Sequence, residues 1–297
     1  MNKFRIFCLS IFTVVFLFKP THVFAAEGDG GGRLVVPAEV RNKLIPVALV
    51  GFPPGVSSVL SFDLEVMGCK IVPEGDASFV VEGKIEDALV GKLSDKTGNV
   101  EFHRKYPGGT VRDQAHALSN DVIKSITGKP GIAHTQILFK MKTGARAEEI
   151  FLSDYDGHQP KALTSDKTLV GSPKWSPKGD EIFYTSWLKR GGLENTTVVR
   201  QNLATGSRDV MARYRGLNTG GVLSPQGFLA MILSKGGSPD VYVAPPAWEF
   251  MKDLKGEKLN RMCKTREEES GVSWSPDGQW LCFATRARGK RMLVKVA

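Results

Sequence analysis

The stretch Val272-Ser273-Trp274-Ser275-Pro276-Asp277-Gly278 decides the fold, because related stretches occur twice more along the chain. They are Trp175-Ser176-Pro177-Lys178-Gly179 and Leu223-Ser224-Pro225-Gln226-Gly227, and each is followed by a run rich in apolar residues. The serines of the three copies are 48 and 51 residues apart. That period is typical of a β-propeller blade of four strands.

Turn chemistry explains why these residue types recur. Proline sets the first corner of a tight turn, glycine takes the positive φ that precedes the next strand, and aspartate accepts backbone hydrogen bonds. We therefore predict strands at 181–186, 228–233 and 279–285, with the repeat tryptophans packed between blades. The structural repeat residues are Trp175, Ser176, Pro177, Gly179, Ser224, Pro225, Gly227, Trp274, Ser275, Pro276, Asp277 and Gly278.

A different pattern precedes the repeats. Val111 to Thr127 has apolar residues at helical spacing and ends at Gly128, and Val56 to Met67 has a similar apolar face. Short β-prone runs at 45–52, 69–72, 79–85, 89–93 and 100–106 surround these helices. The pattern changes at Lys129-Pro130-Gly131, so we predict an α/β amino-terminal domain over 37–130 and propeller blades over 131–297.

The first residues have the architecture of an export signal. Lys3 and Arg5 precede an uncharged run of 13 residues, Ile6 to Phe18, and Val23-Phe24-Ala25 fits a signal peptidase site. A membrane anchor is the alternative, but 13 residues are fewer than the roughly 20 that a spanning helix needs. We predict a signal peptide at 1–25 and a flexible, glycine-rich arm at 26–36.

Charge and cysteine content exclude several classes of protein. The net charge is +9 for the whole chain, and the basic residues are dispersed, as on a solvated face rather than a nucleic-acid site. Beyond the signal the cysteines are Cys69, Cys263 and Cys282, with no CxxC spacing, so neither a zinc site nor a disulfide framework is indicated. A Cys263–Cys282 bridge stays open in an oxidising compartment.

The repeat and three further stretches resemble the TolB family. Ala115-His116-Ala117-Leu118-Ser119-Asn120-Asp121-Val122, running into 126–132, resembles the last amino-domain helix and the linker. Thr135 to Phe139 resembles the first propeller strand, and 151–157 followed by Leu163-Thr164 resembles the family's strand, turn and strand.

The resemblance implies a periplasmic, non-enzymatic component of the Tol–Pal envelope system. In that family an α/β domain precedes a six-bladed propeller, which binds a peptidoglycan-associated lipoprotein, and the amino terminus contacts an inner-membrane partner. Here the segment Arg33-Leu34-Val35-Val36 would be the partner-binding strand, joining a partner's sheet edge. A strand packed on the amino domain is the alternative.

The chain departs from the family in length. Thr135 to Ala297 is 163 residues, enough for about 3–4 blades at roughly 40–45 residues each. We therefore predict fewer than the usual six blades: a shortened relative with a small or open ring, or a fragment. Unpaired edge strands in an open arc favour a partner or self-association.

Enzymatic and metal-dependent alternatives have weaker support. Prolyl-oligopeptidase-type hydrolases share the turn, but they need Gly-x-Ser-x-Gly and a hydrolase domain; Gly271-Val272-Ser273 has only half the motif. The histidines lack metal-ligand spacing, and Asp154 to Gly157 is too short for a calcium loop. We expect no catalytic residues, metal or cofactor.

Three readings stay open at this stage. His116 is either a structural residue or a polar contact to the propeller. Trp175, Trp187, Trp274 and Trp280 either pack between blades or form a ligand platform, and the two repeat tryptophans favour packing. A propeller that binds a glycan or another small exported ligand is the alternative function; a concave, polar pocket at the channel mouth would favour it.

Overall fold

The computed structural model describes residues 44–187, 189–190, 193–246, 258–262, 267–287 and 290–296. Its amino-terminal part is a five-stranded sheet of order β2-β1-β3-β4-β5 that carries two helices. Strand β1 pairs parallel to β2 and β3, whereas β3, β4 and β5 form an antiparallel meander. The elements are β1 (Ile45–Val50), α1 (Pro54–Val66), β2 (Cys69–Ile71), β3 (Phe79–Ile85), β4 (Leu89–Asp95), β5 (Val100–Tyr106) and α2 (Val111–Thr127).

Local sequence explains both ends of α2. The side chain of Thr110 accepts a hydrogen bond from the Asp113 amide, and the Asp113 carboxylate accepts one from the Thr110 amide, which is a capping box. Gly128 ends the helix in the left-handed region, with φ 71°. The predicted bounds of α2 are those observed.

One apolar core joins the two helices to this sheet. Its fully buried members are Val47, Val81, Leu89 and Leu93 from the sheet, Leu60 and Leu64 from α1, and Ala115, Leu118 and Val122 from α2. Asp63 lies on the same face of α1 and is also fully buried.

The remainder of the described chain is β-structure. Its strands are β6 (Gln136–Gly144), β7 (Ala147–Asp154), β8 (Lys161–Ala162), β9 (Val170–Trp175), β10 (Glu181–Ser186), β11 (Lys189–Arg190), β12 (Leu193–Glu194), β13 (Thr197–Asn202), β14 (Arg208–Ala212), β15 (Asn218–Leu223), β16 (Leu229–Leu233), β17 (Asp240–Ala244), β18 (Asn260–Arg261), β19 (Glu269–Trp274), β20 (Leu281–Ala287) and β21 (Lys290–Val296).

Four antiparallel sheets succeed one another along the chain. Sheet I is β6-β7-β8, sheet II is β9-β10-β13-β14, sheet III is β15-β16-β17-β18 and sheet IV is β19-β20-β21. A separate hairpin, β11-β12, extends from sheet II. No pairing among the described strands joins sheet IV to sheet I, so these sheets do not close a ring by strand pairing.

Neighbouring sheets pack face to face, as blades do. Strand β16 shows the pattern: Leu229, Met231 and Leu233 pack toward sheet II, and Ala230 and Ile232 toward sheet IV. Burial on both faces explains the continuous apolar run in this strand. Ile150 of sheet I packs similarly with Val170, Ile182 and Tyr184 of sheet II.

The three repeat turns share one hydrogen-bond pattern. Gly179, Gly227 and Gly278 have φ of 73°, 90° and 69°, as the turn chemistry predicts. The repeat serine hydroxyl also accepts a backbone hydrogen bond in every copy: from Glu181 at 3.1 Å, Phe228 at 3.1 Å and Trp280 at 2.9 Å. Serine therefore recurs because its hydroxyl accepts a backbone hydrogen bond within the turn.

A second repeated feature lies on the first strand of sheets II, III and IV. Four residues before each repeat serine the backbone takes a positive φ: 51° at Ser172, 72° at Gly220 and 66° at Gly271. The strand pairing shifts register at these places, which is the mark of a β-bulge. The sequence pattern does not predict this feature, because serine replaces glycine in one copy.

One expectation needs correction. The strand predicted to end at Leu163-Thr164 ends at Ala162, because the Thr164 hydroxyl accepts the hydrogen bond of the Ile150 amide, at 2.9 Å. Trp274 is half-buried. Neither helix in the described residues is long and apolar enough to span a bilayer.

Candidate functional site

The bulged strands β9, β15 and β19 line a groove. It has a volume of about 420 Å³, and Ser172, Gly220 and Gly271 all contribute to its wall. Polar side chains also line it, including Lys174, Thr219, Ser270 and Ser273. Bulges are common beside functional sites because they re-aim backbone and side-chain groups.

A larger cavity of about 690 Å³ shares Leu217, Glu269 and Ser270 with the groove. Its wall carries both signs of charge, with Glu267 and Glu268 facing the same space as Arg286 and Arg291. Glu269 has a structural task, since its carboxylate accepts the Val241 amide at 2.8 Å. The two cavities together, called the inner groove below, form a concave surface that offers charged and polar groups beside apolar ones to a peptide or another ligand.

A second candidate site lies where the helices meet sheet I. Asp63 of α1 accepts a hydrogen bond from His116 of α2, at 2.8 Å between Oδ2 and Nδ1. Asp156, in the turn after β7, lies 3.7 Å from Nε2 of the same histidine. Tyr155 donates its hydroxyl to Asp63, and Arg112 forms an ion pair with Asp156. We call these five residues the junction cluster.

The junction cluster is largely withdrawn from water. The side chains of Asp63, His116 and Asp156 are 0%, 3% and 4% exposed. Burial, and then the hydrogen bond to Asp63, raises the pKa of the Tyr155 hydroxyl, which therefore keeps its proton. Nε2 of His116 is buried and has no hydrogen-bond partner among the residues that the structure describes.

His116 was expected to be either a structural residue or a polar contact to the propeller. Only this part of the site was predicted from the sequence. The histidine is buried and hydrogen-bonded, and it also faces the turn of sheet I. Asp63 was not predicted from the sequence. The available signal was a carboxylate on an apolar helix face, one turn after Leu60, where an aspartate needs a buried partner.

Asp63, His116 and Asp156 have the donor types and spacing that could hold a metal ion. However, both Asp63 oxygens already accept hydrogen bonds, from Tyr155 and His116. The Arg112 guanidinium occupies Asp156 Oδ2 and would repel a cation. The donor set therefore fits a hydrogen-bonded ionic cluster better than a metal centre. The turn itself closes by the Gly157 amide to Asp154 carbonyl bond, at 2.9 Å, as the turn interpretation predicts.

The structure places the other predicted residues as follows. Arg33, Leu34, Val35 and Val36, with the signal peptide and the arm, lie outside the described residues, as does Cys263. Cys282 is an exposed free thiol.

The tryptophans do not form one platform in the described structure. Trp175 and Trp274 pack against two different intersheet clusters. Trp187 is 40% exposed, and Trp280 stacks under Lys295, 3.7 Å from the ring centre.

Strand β21 presents an open edge. Among the described strands it pairs only with β20, and its side chains Met292 and Leu293 are 50% and 78% exposed. An exposed apolar edge strand is a template for pairing with another chain.

Comparison with known proteins places more than half of the chain in a family. The family described as PD40, TolB beta propeller domain, matches residues 123–297. Among curated relatives, the Tol-Pal system protein TolB of Alcanivorax borkumensis is 30% identical over 199 residues, which are 65% of this chain and 45% of that protein. The Tol-Pal system protein TolB of Nitrosomonas europaea is 29% identical over 209 residues, covering 59% of this chain and 48% of that protein.

Among solved structures, TolB from Acinetobacter baumannii superposes with a TM-score of 0.68 at 22% identity, covering 86% of this chain and 69% of that one. This likeness supports the fold. The chain spans less than half the length of the curated relatives it matches.

Proposed function

Because the chain belongs to the TolB β-propeller domain family, we propose that it is an exported, non-enzymatic, protein-binding component of a Tol–Pal-like cell-envelope system. The observation that carries the proposal is the family match over 123–297, together with curated relatives that are Tol-Pal system proteins. The proposed location is the periplasm, after removal of residues 1–25. The proposed partners are a peptidoglycan-associated lipoprotein and an inner-membrane Tol-type protein.

Two surfaces support a protein-binding role. The inner groove combines carboxylates with Arg286 and Arg291 over a concave surface, which suits the mixed polar rim of a protein interface. The edge of β21, which pairs only with β20 among the described strands, lies beside the exposed Leu293, and such an edge suits strand addition. We propose that the lipoprotein contacts the inner groove and that the arm at 26–36 contacts the inner-membrane partner.

Affinity capture tests the proposal. Mature protein, from residue 26 on, carries a tag and is cross-linked to solubilised envelopes of the source bacterium, and captured proteins are identified by mass spectrometry. We expect the lipoprotein or the inner-membrane partner to be enriched over a tagged, unrelated periplasmic protein. Enrichment of neither would count against the proposal.

Substitutions and a deletion then distinguish the proposed role of the inner groove from that of the arm. Arg291→Glu reverses a charge in the inner groove, and Arg146→Glu makes the same change on an exposed residue outside the groove. We expect the first to weaken capture of the lipoprotein and the second to leave it unchanged. Deletion of residues 26–36 should abolish capture of the inner-membrane partner while the melting temperature stays almost the same. A fall of several degrees with capture intact would make the arm a structural strand.

The second candidate function, binding of a glycan or another small exported ligand, is favoured by one observation. The groove of about 420 Å³ is concave and carries Lys174, Thr219 and Ser270, as expected of a small-ligand site. Calorimetric titration with soluble peptidoglycan fragments separates the two functions. Saturable binding that Lys174→Glu, in the wall of this groove, weakens and Arg146→Glu does not would favour the ligand-binding function.

A further inference from the structure

His116 lies between two buried carboxylates that come from different parts of the fold. Asp63 is on α1, and Asp156 is in the β7–β8 turn of sheet I. The first contact is a hydrogen bond of 2.8 Å, and it takes the Nδ1 proton. The second, between Nε2 and Asp156 Oδ2, is 3.7 Å, which is longer than a hydrogen bond.

Because Nε2 has no hydrogen-bond partner among the described residues, protonation of this atom would change its contact with Asp156. In the neutral ring Nδ1–H donates to Asp63, so Nε2 presents its lone pair toward the Asp156 carboxylate. Two electron-rich groups then face one another in a buried space, and that arrangement is unfavourable. A proton on Nε2 turns the same contact into a charge-assisted hydrogen bond after a small closure.

Charge balance points the same way. Asp63 and Asp156 carry two negative charges and Arg112 one positive charge, so the cluster is singly negative until His116 is protonated. A buried net charge is costly, and the proton on His116 removes it. Three further titratable groups of the described residues are near: the ring of His134, 6.0 Å from that of His116, Tyr155, which stays protonated, and the carboxylate of Asp113, which interacts electrostatically with His116. His134 itself hydrogen-bonds the Asp113 carbonyl, at 3.1 Å.

We propose that His116 is a proton-operated latch, which holds sheet I to the helices when the imidazole is protonated and loosens that contact when it is neutral. The contact is therefore strongest when the imidazole is protonated, and it weakens as rising pH removes that proton. The latch does not depend on the proposed function or on any partner.

The first test uses the unaltered mature protein. The imidazole Cε1–H signals of His103, His116, His134 and His158 are followed by NMR from pH 5 to 8.5, and His116 is assigned by substituting the other three. We expect the His116 signal to titrate and the amides of 154–158 to shift with the same midpoint. A His116 signal that does not change over this range overturns the proposal.

The second test measures opening of the contact by hydrogen exchange, corrected for the intrinsic pH dependence. In the unaltered protein we expect the 150–158 segment to open roughly tenfold more at pH 8 than at pH 6, the order expected for loss of one charged hydrogen bond. His116→Gln should remove this pH dependence, as should Asp156→Asn, and His103→Gln, at an exposed position, should retain it.

Retention of the full pH profile by His116→Gln would overturn the proposal. The same measurement with a chelator or added Zn²⁺ addresses a metal at this site. We expect no change in protection, and a protection that depends on the metal would replace the latch by a metal centre.

Discussion

The indole Nε1 of Trp274 donates a hydrogen bond to the main-chain carbonyl of Val222, at 3.1 Å. The bond joins β19 of sheet IV to β15 of sheet III, so a residue of the repeat ties two neighbouring sheets together. Its ring is half-buried against the cluster that contains Val272 and Phe283. The repeat tryptophan therefore acts through both packing and a polar contact between sheets.

Replacing Trp274 with alanine should destabilise the protein by about 2–4 kcal/mol, toward the lower end of the range for a large aromatic because the ring is only half-buried. The midpoint and slope of urea unfolding provide the measurement. Trp280→Ala is the matched control: this residue is 37% exposed, and its ring contacts Lys295 of its own sheet rather than a neighbouring sheet, so we expect a smaller loss, about 1 kcal/mol. Equal losses for the two variants would contradict the assignment.

Gly271→Ala should lower the free energy of unfolding by about 1–2 kcal/mol, because the left-handed backbone region, here with φ 66°, is unfavourable for alanine. The added methyl would meet nothing within 4 Å, so the loss reports backbone strain alone. Gly171→Ala, in β9, also meets nothing within 4 Å and lacks a positive φ. It should be neutral or slightly stabilising. If Gly271→Ala left the free energy of unfolding unchanged, the bulge would not require glycine at this position.

The repeat turn should contribute to acid sensitivity through Asp277. The Ser275 hydroxyl, and then the Gln279 amide, hold the pKa of this carboxyl below its usual value. A lowered folded-state pKa gives stability that is present above the ordinary pKa of about 3.9 and is lost as the pH falls through the folded value. We expect the melting temperature of Asp277→Asn to fall less between pH 7 and pH 3 than that of the parent protein. An identical decrease would refute this role, and the exposed Asp76→Asn serves as the control.

The boundary predicted at 128–131 is testable by limited proteolysis. Gly131 packs on α2 so closely that an added Cβ would lie 2.2 Å from Asn120 Oδ1, and the same oxygen accepts the Ala133 amide at 2.9 Å. Cleavage therefore requires this segment to open. We expect thermolysin to cut first between residues 128 and 135, releasing an amino fragment of about a hundred residues, and Asn120→Ala to accelerate the cut. A first cut within 171–186 would disprove the boundary.

Elements that depend on neighbouring residues were predicted well from the sequence. The bounds of α2 follow from its apolar spacing, its capping residues and Gly128, and β3, β5 and β10 occupy the predicted positions. The repeat turns follow because proline, serine and glycine act within a few residues of one another. These interactions are short in sequence, so a one-dimensional pattern contains them.

The sequence by itself determined the order of helices and strands, the repeat period and the turn chemistry. Only the tertiary structure decided which of these residues meet. Asp63 lies 53 residues from His116 and 92 from Tyr155, and the bulges at Ser172, Gly220 and Gly271 converge on one groove. The physical reason is that side-chain burial and electrostatic contact depend on how whole sheets and helices pack. Residue periodicity specifies which face of an element is apolar, and it does not specify which distant charge that face will meet.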